Sequence, residues 1–170
     1  MEILQYTDSH NDFRERLQGF LAQEVIPYVD QWEEERIVPK SVWQKMGQQG
    51  FLCMDVDPEY GGMGGDFLYS HIVAQELTKT WFTGLTASLH SDIVVPYINS
   101  FGSQELKKKY LPGCVTGDIV TAVAMTEPDA GSDLAGISTS AVEEGDEVVH
   151  TGSKTFITNG GMAGFYCTMC

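Results

Sequence analysis

The hydrophobic pattern of this chain changes period near Gly117, and that change limits the folds open to it. Before Gly117 the apolar residues recur every three or four positions, which lays them along one face of a helix. After it they alternate, and Thr, Ser, Val and Gly dominate, as on half-buried strands. Helices come first and strands second. The chain therefore reads as α+β, with an N-terminal all-α helical domain over residues 1–117 and a partial antiparallel β domain over residues 118–170.

Within the first part, Ser9 is the expected N-cap of a helix whose apolar stripe is Phe13, Leu17, Phe20, Leu21 and Val25. Pro27 kinks or restarts that helix, and Tyr28, Val29 and Trp32 carry the pattern on to Pro39. Ser41 opens a short helix with Val42, Trp43 and Met46 inward and Gly50 at its end. Residues 51–56 form an apolar connector. The glycine-rich stretch 59–66 lacks the Gly-Lys-Ser/Thr ending of a phosphate-cradling loop and no βαβ unit frames it, so it reads as a plain loop ending in Asp66 as the next N-cap. Tyr69, Ile72, Val73 and Leu77 follow at helical spacing. Residues 81–98 are apolar nearly all round and predict a central, buried helix with Pro96 bending its last turn. Ser103 caps a further helix with Leu106, Tyr110 and Leu111 inward. Its run Lys107-Lys-Lys109 is expected near the C-terminal end, where cations suit the helix dipole.

In the second part, residues 119–126 read as a strand and 127–136 as a loop. Strands at 138–143 and 147–152 are joined by the turn Glu144-Gly145-Asp146. Further strands are expected at 155–158 and 165–170, joined by Asn159-Gly-Gly161. A β domain of this length is short for a barrel or sandwich, so a further segment or a second chain is expected to complete it.

Charge narrows the partners. The 170 residues include 10 Lys+Arg against 24 Asp+Glu, a formal charge of −14. Nucleic acid and anionic membrane surfaces both draw on clustered cations and are disfavoured. No apolar run approaches the ~20 residues of a membrane span. The N-terminus lacks a continuous apolar core, and Glu2, Asp8 and Asp12 are unlike a transit peptide, so a cytoplasmic location is expected. Cys53, Cys114, Cys167 and Cys170 are too scattered for a disulfide framework. Cys167 and Cys170 have ligand spacing, but on a strand they face opposite ways, and no metal is expected. His10, His71, His90 and His150 have no ligand spacing, and His90 with Asp92 reads as a satisfied polar pair.

Three stretches carry possible chemistry: Ala124-Met-Thr-Glu-Pro-Asp-Ala-Gly-Ser-Asp-Leu-Ala-Gly136, Gly152-Ser-Lys-Thr-Phe-Ile-Thr-Asn-Gly-Gly161 and Pro58-Glu-Tyr-Gly-Gly-Met-Gly-Gly65. In the first, Ala130, Gly131 and Ser132 are small enough to let an anion reach backbone N–H groups. In the second, a strand would place Phe156 and Thr158 on one face, a wall for a flat polar ring. By pattern alone this is a weak ligand signal beside a turn and a strand with a core Phe.

Together with the run from Phe101 to Pro112, in matching order and separation, these stretches resemble the acyl-CoA dehydrogenase family, with long-chain-type bacterial members most similar. The resemblance covers essentially the whole chain. It implies a helical domain followed by a β domain that binds FAD. Val123, Ala124, Met125 and Thr126 would line the flavin, with Gly131 and Ser132 near its pyrophosphate. Phe156, Ile157 and Thr158 would contact the isoalloxazine, with Thr158 near N5. Ser132 would also face the fatty acyl-CoA substrate. Asp129 stands where many members have Gly and is expected to point to solvent, and Phe156 stands where others have Trp. The implied reaction is α,β-dehydrogenation, with electrons passing to an electron-transfer flavoprotein. The family's C-terminal helical bundle, which usually carries the catalytic Glu, is not in this sequence. No catalytic residue is therefore assigned, and the chain alone is expected to be silent. Glu127 reads as a loop anchor rather than a base. The alternatives are a non-catalytic partner subunit, a cofactor-free remnant, or an oxidase or monooxygenase on the same fold. A homo-oligomer or a completing second chain is possible within this reading.

Overall fold

The computed structural model describes residues 4–170. Helix α1 (Asp8–Glu24) buries Phe13, Leu17, Phe20 and Leu21, the expected stripe. Its N-cap is Thr7 rather than Ser9. The reason is His10, whose Nδ1 accepts from the Thr7 N–H at 3.1 Å and lies 2.7 Å from the Thr7 hydroxyl. A reciprocal pair three residues apart closes the first turn better than Ser9 could. A 3₁₀ turn at Ile26–Tyr28 with Pro27 in it separates α1 from α2 (Val29–Glu35). Helix α3 (Lys40–Gln48) places Val42, Trp43 and Met46 inward, and Gly50 follows at φ 76°. Asp66 caps α4 (Phe67–Lys79) by accepting from the Leu68 N–H at 2.9 Å.

The expected helix over 81–98 forms only from residue 87 onward. Trp81 has φ 60° and is 91 % exposed, and the chain is irregular through Leu85. A π-helical turn, Leu89–Val94, then leads into α5 (Val95–Phe101). Pro96 has no N–H to offer the Asp92 carbonyl, so it sits in the first turn of α5 and the ladder widens just before it. An all-round apolar pattern does not separate a buried loop from a buried helix. Ser103 caps α6 (Gln104–Thr116) through the Leu106 N–H at 3.2 Å. Leu111 is buried, but Leu106 is exposed. The helix runs on to Thr116, so Lys107, Lys108 and Lys109 fall in its first half and the dipole argument does not hold there.

Strand β1 (Thr121–Ala124) pairs with β4 (Phe165–Thr168), and β2 (Ser140–Glu144) with β3 (Glu147–Thr151). The helical part followed by a small β region is the expected α+β arrangement. Within it the hairpin is antiparallel, while β1 and β4 run parallel, with Thr121 opposite Phe165 and Ala124 opposite Thr168. Residues 155–158 form no strand. Phe156 and Asn159 both have positive φ, 55° and 64°, which breaks an extended run.

The core joins α1, α3, α4 and α6 around Phe13, Leu17, Trp43, Met46, Phe51, Ile72 and Leu111. Gly117 ends α6 at φ 75°, and a Cβ there would come 2.2 Å from the Trp43 carbonyl oxygen, so only glycine lets the chain pass. His90 is fully buried behind this core and bonds to the strand. Its Nε2 lies 3.0 Å from the Cys114 carbonyl, so that nitrogen donates. Its Nδ1 then accepts from the Thr121 N–H at 3.2 Å and meets the Thr121 hydroxyl at 2.9 Å. Asp92, its expected partner, is exposed and faces Ser70 and Ser88 instead. Among the described residues no helix is long and apolar enough to cross a membrane.

Burial pushes the His90 imidazole down to about 4. A base with a depressed folded pKa binds fewer protons folded than unfolded, so its effect is to lower stability as pH falls from 6.5 towards 4. The loss should approach roughly 3 kcal/mol. Denaturant titrations at pH 7 and pH 5 should show this slope in the wild type and a shallower one in His90→Gln.

Candidate functional site

Strand β1 runs out through Met125 and Thr126 into the loop that begins at Glu127. That loop is tied down by one carboxylate. Glu127 is buried and accepts from the Ser138 N–H at 2.7 Å, the Ser138 hydroxyl at 2.8 Å and the Thr139 N–H at 2.9 Å, with the Thr139 hydroxyl as a fourth donor. Lys154 completes the set at 2.9 Å and also donates to the Met125 carbonyl at 2.9 Å. Bonds from Thr139, Ser138 and Lys154, in that order, hold the carboxyl well below the usual range. A carboxylate so fully engaged is an anchor, and it has no free lone pair aimed at a ligand.

The same knot joins two of the sequence stretches. The Thr155 N–H donates to the Thr126 carbonyl at 2.9 Å, beside the Lys154 bridge. Val123, Ala124, Met125 and Thr126 therefore lie alongside the segment that carries Phe156, Ile157 and Thr158. Phe156 is 91 % exposed at φ 55°, so it is no core residue. A bulky side chain held in that conformation costs on the order of 1 kcal/mol and is common where a ligand is met. Gly131 and Ser132 are exposed in the loop after Glu127, as is Asp129. A Cβ at Gly131 would touch nothing, and among the described residues no protein acceptor takes the N–H of Gly131 or Ser132.

A groove of about 520 Å³ opens next to these segments. One wall comes from Trp32, Arg36 and neighbouring residues, one from Phe82, Thr83 and Thr86, and one from residues 157–162. Ile157 and Thr158 thus line it, while Ser132 and Val123 do not. The sequence reading missed the first two walls. Spacing marks Trp32 only as part of the apolar pattern, and residues 82–86 lie inside the expected helix. Free N–H groups at Gly131 and Ser132, an exposed aromatic and adjacent hydroxyls suit a flat ring with an anionic tail. The donors are neutral, and no cation stands in the loop 127–136.

Comparison with known proteins identifies the family. The family description "Acyl-CoA dehydrogenase, N-terminal domain" matches residues 7–118, and "Acyl-CoA dehydrogenase, middle domain" matches residues 122–170. The chain belongs to the acyl-CoA dehydrogenase family. It is 42 % identical over 155 residues to the mitochondrial long-chain specific acyl-CoA dehydrogenase of Rattus norvegicus, covering 91 % of this chain and 36 % of that protein. A crystal structure of an acyl-CoA dehydrogenase from Geobacillus kaustophilus superposes with a TM-score of 0.94 at 49 % identity, over 99 % of this chain and 44 % of the other. An acyl-CoA dehydrogenase from Bacillus anthracis, complexed with FAD, superposes at 0.89 with 32 % identity, over 96 % and 29 %. The chain thus spans less than half the length of each of these relatives.

Glu127→Gln keeps the shape of the anchor but removes its charge and two of its acceptor sites. Hydrogen exchange at the Ser138 and Thr139 amides should speed up on the order of tenfold. Amides of α1 should keep the wild-type rate, measured in the same exchange series.

Proposed function

We propose that this chain forms the helical and flavin-facing portion of an FAD-dependent enzyme that desaturates fatty acyl-CoA thioesters and passes electrons to an electron-transfer flavoprotein. The helical unit is residues 1–117 and the flavin-facing unit residues 118–170. The observation that carries the reading is the Thr155–Thr126 bond with Lys154 across it, which sets residues 123–126 beside residues 156–158. FAD, when bound, supplies the hydride acceptor.

The chain's own residues have distinct tasks in this reading. Residues 123–126 present a strand end to one side of the ring. Phe156 covers an apolar part of it, and Thr158 offers a hydroxyl to its edge. Gly131 and Ser132 donate to the diphosphate, with Ser132 also within the reach of the thioester end of the substrate. Asp129, exposed, keeps its charge in water. Glu127 holds a proton at no stage, because its oxygens are engaged by Ser138, Thr139 and Lys154. None of these residues is assigned as the base that removes the α-proton.

Mixing the chain with FAD should quench flavin fluorescence to saturation. Ser132→Asp sets a carboxylate against the diphosphate and should weaken binding about tenfold or more. Phe156→Ala should weaken it less. Equal affinity in the wild type and Ser132→Asp, with both shown folded by circular dichroism, would overturn this placement of the diphosphate.

A further inference from the structure

We propose that Asn159 is a positioning residue for the ring-facing loop, acting as a clamp between that loop, the groove wall and β1. The proposal rests on the flavin reading above. Asn159 has φ 64°, a conformation that Asn tolerates better than most residues with a side chain. Its carbonyl accepts from the N–H groups of Met162 at 3.0 Å and Ala163 at 2.9 Å, which turns the loop back towards β4. Its side chain reaches outward in two directions. Oδ1 accepts from the Thr86 hydroxyl at 2.8 Å, and Nδ2 donates to the Thr121 carbonyl at 3.1 Å. A carbonyl oxygen only accepts, so the amide has one orientation that satisfies both bonds.

The partners give the clamp its meaning. Thr86 stands on the groove wall formed by residues 82–86, and Thr158 on the wall formed by residues 157–162. The Thr86–Asn159 bond therefore fixes the spacing of two walls. Thr121 begins the strand that leads to Thr126, and its own hydroxyl and N–H meet the buried His90. One amide thus sets the loop bearing Phe156, Ile157 and Thr158 at a fixed place relative to residues 123–126. Phe156 and Thr158 are exposed, and their side chains make no hydrogen bond among the described residues. Their positions are inherited from Asn159 and from the Thr155–Thr126 bond at the other end of the segment.

The test is an FAD titration of the full chain with Asn159→Gly, Thr86→Val and Thr86→Ser. Glycine keeps the backbone conformation and deletes the clamp. Thr86→Val, which removes one part-buried hydrogen bond, should weaken FAD about tenfold, and Asn159→Gly, which removes that bond and the one to Thr121, should weaken it at least as much. The double variant should bind no worse than Asn159→Gly, because the two residues share a bond. Thr86→Ser, which keeps the hydroxyl, should restore wild-type affinity. The midpoint potential of the bound flavin should shift in the weakened variants and not in Thr86→Ser. Should Asn159→Gly fail to fold, Thr86→Val reads the same bond from its other side. Wild-type affinity and potential in both Asn159→Gly and Thr86→Val would overturn the clamp and leave the flavin reading standing. A folded wild-type chain that takes up no FAD would overturn the flavin reading and the clamp together.

Discussion

The strand that carries the candidate site is held in place by a neutral imidazole. His90 lies behind the helical core with no solvent contact, 5.7 Å from the Trp43 ring, and gives one nitrogen to Cys114 and the other to Thr121. A buried polar group costs free energy unless every partner is present. Here the partners come from α6 on one side and β1 on the other. The helical part and the first strand are thereby fixed to one another through a side chain that has no alternative arrangement. Charging it would put an ion among Trp43, Cys53 and Cys114, where burial also raises both thiols, Cys114 to about 12.

Outward from that point the polar contacts form a second layer. Thr121 passes the connection to Asn159, and Asn159 to Thr86. At the far end of β1 the Glu127–Lys154 pair does similar work with charge: side-chain exposures of 4 % and 12 % mean that little water screens it. Breaking such a pair leaves a buried ion without compensation, and the surrounding hydroxyls and N–H groups show that this carboxylate is satisfied several times over. Among the described residues Glu76 is also a buried acid, and Arg14, Gln18 and Lys79 engage it. The loop 127–136 offers neutral donors, so in the proposed reading recognition of an anionic tail would come from close backbone approach at Gly131 rather than from attraction between opposite charges.

Much of the fold was legible because burial is periodic. Phe13, Leu17, Phe20 and Leu21 on α1, and Val42, Trp43 and Met46 on α3, could be read from spacing alone. The caps at Asp66 and Ser103 followed from their chemistry. Failures came where periodicity stops carrying information. Residues 81–98 are apolar nearly all round, so the pattern hid the irregular stretch around Trp81 and Gly84 and, with it, a wall of the groove. Residues 155–158 alternate like a strand, yet the positive φ of Phe156 and Asn159 bends them into a loop. The Ser9 and Leu106 assignments failed for a different reason. Both depended on which of several similar neighbours a single contact selects, and His10 made that choice for the first helix. For the site, Glu127 as an anchor was legible, whereas the Lys154 and Asn159 contacts join residues 27 or more positions apart and leave no local mark.

The groove's walls are drawn from residues 32–38, 82–86 and 157–162, three stretches separated by long intervals of chain. No fragment of the unfolded polypeptide holds them together, so whatever occupies the groove recognises only the folded state. Ligand concentration then becomes a variable of folding, adding stability that grows logarithmically once it exceeds the dissociation constant. In a cell, the lifetime of this chain against proteases would rise and fall with the supply of its ligand.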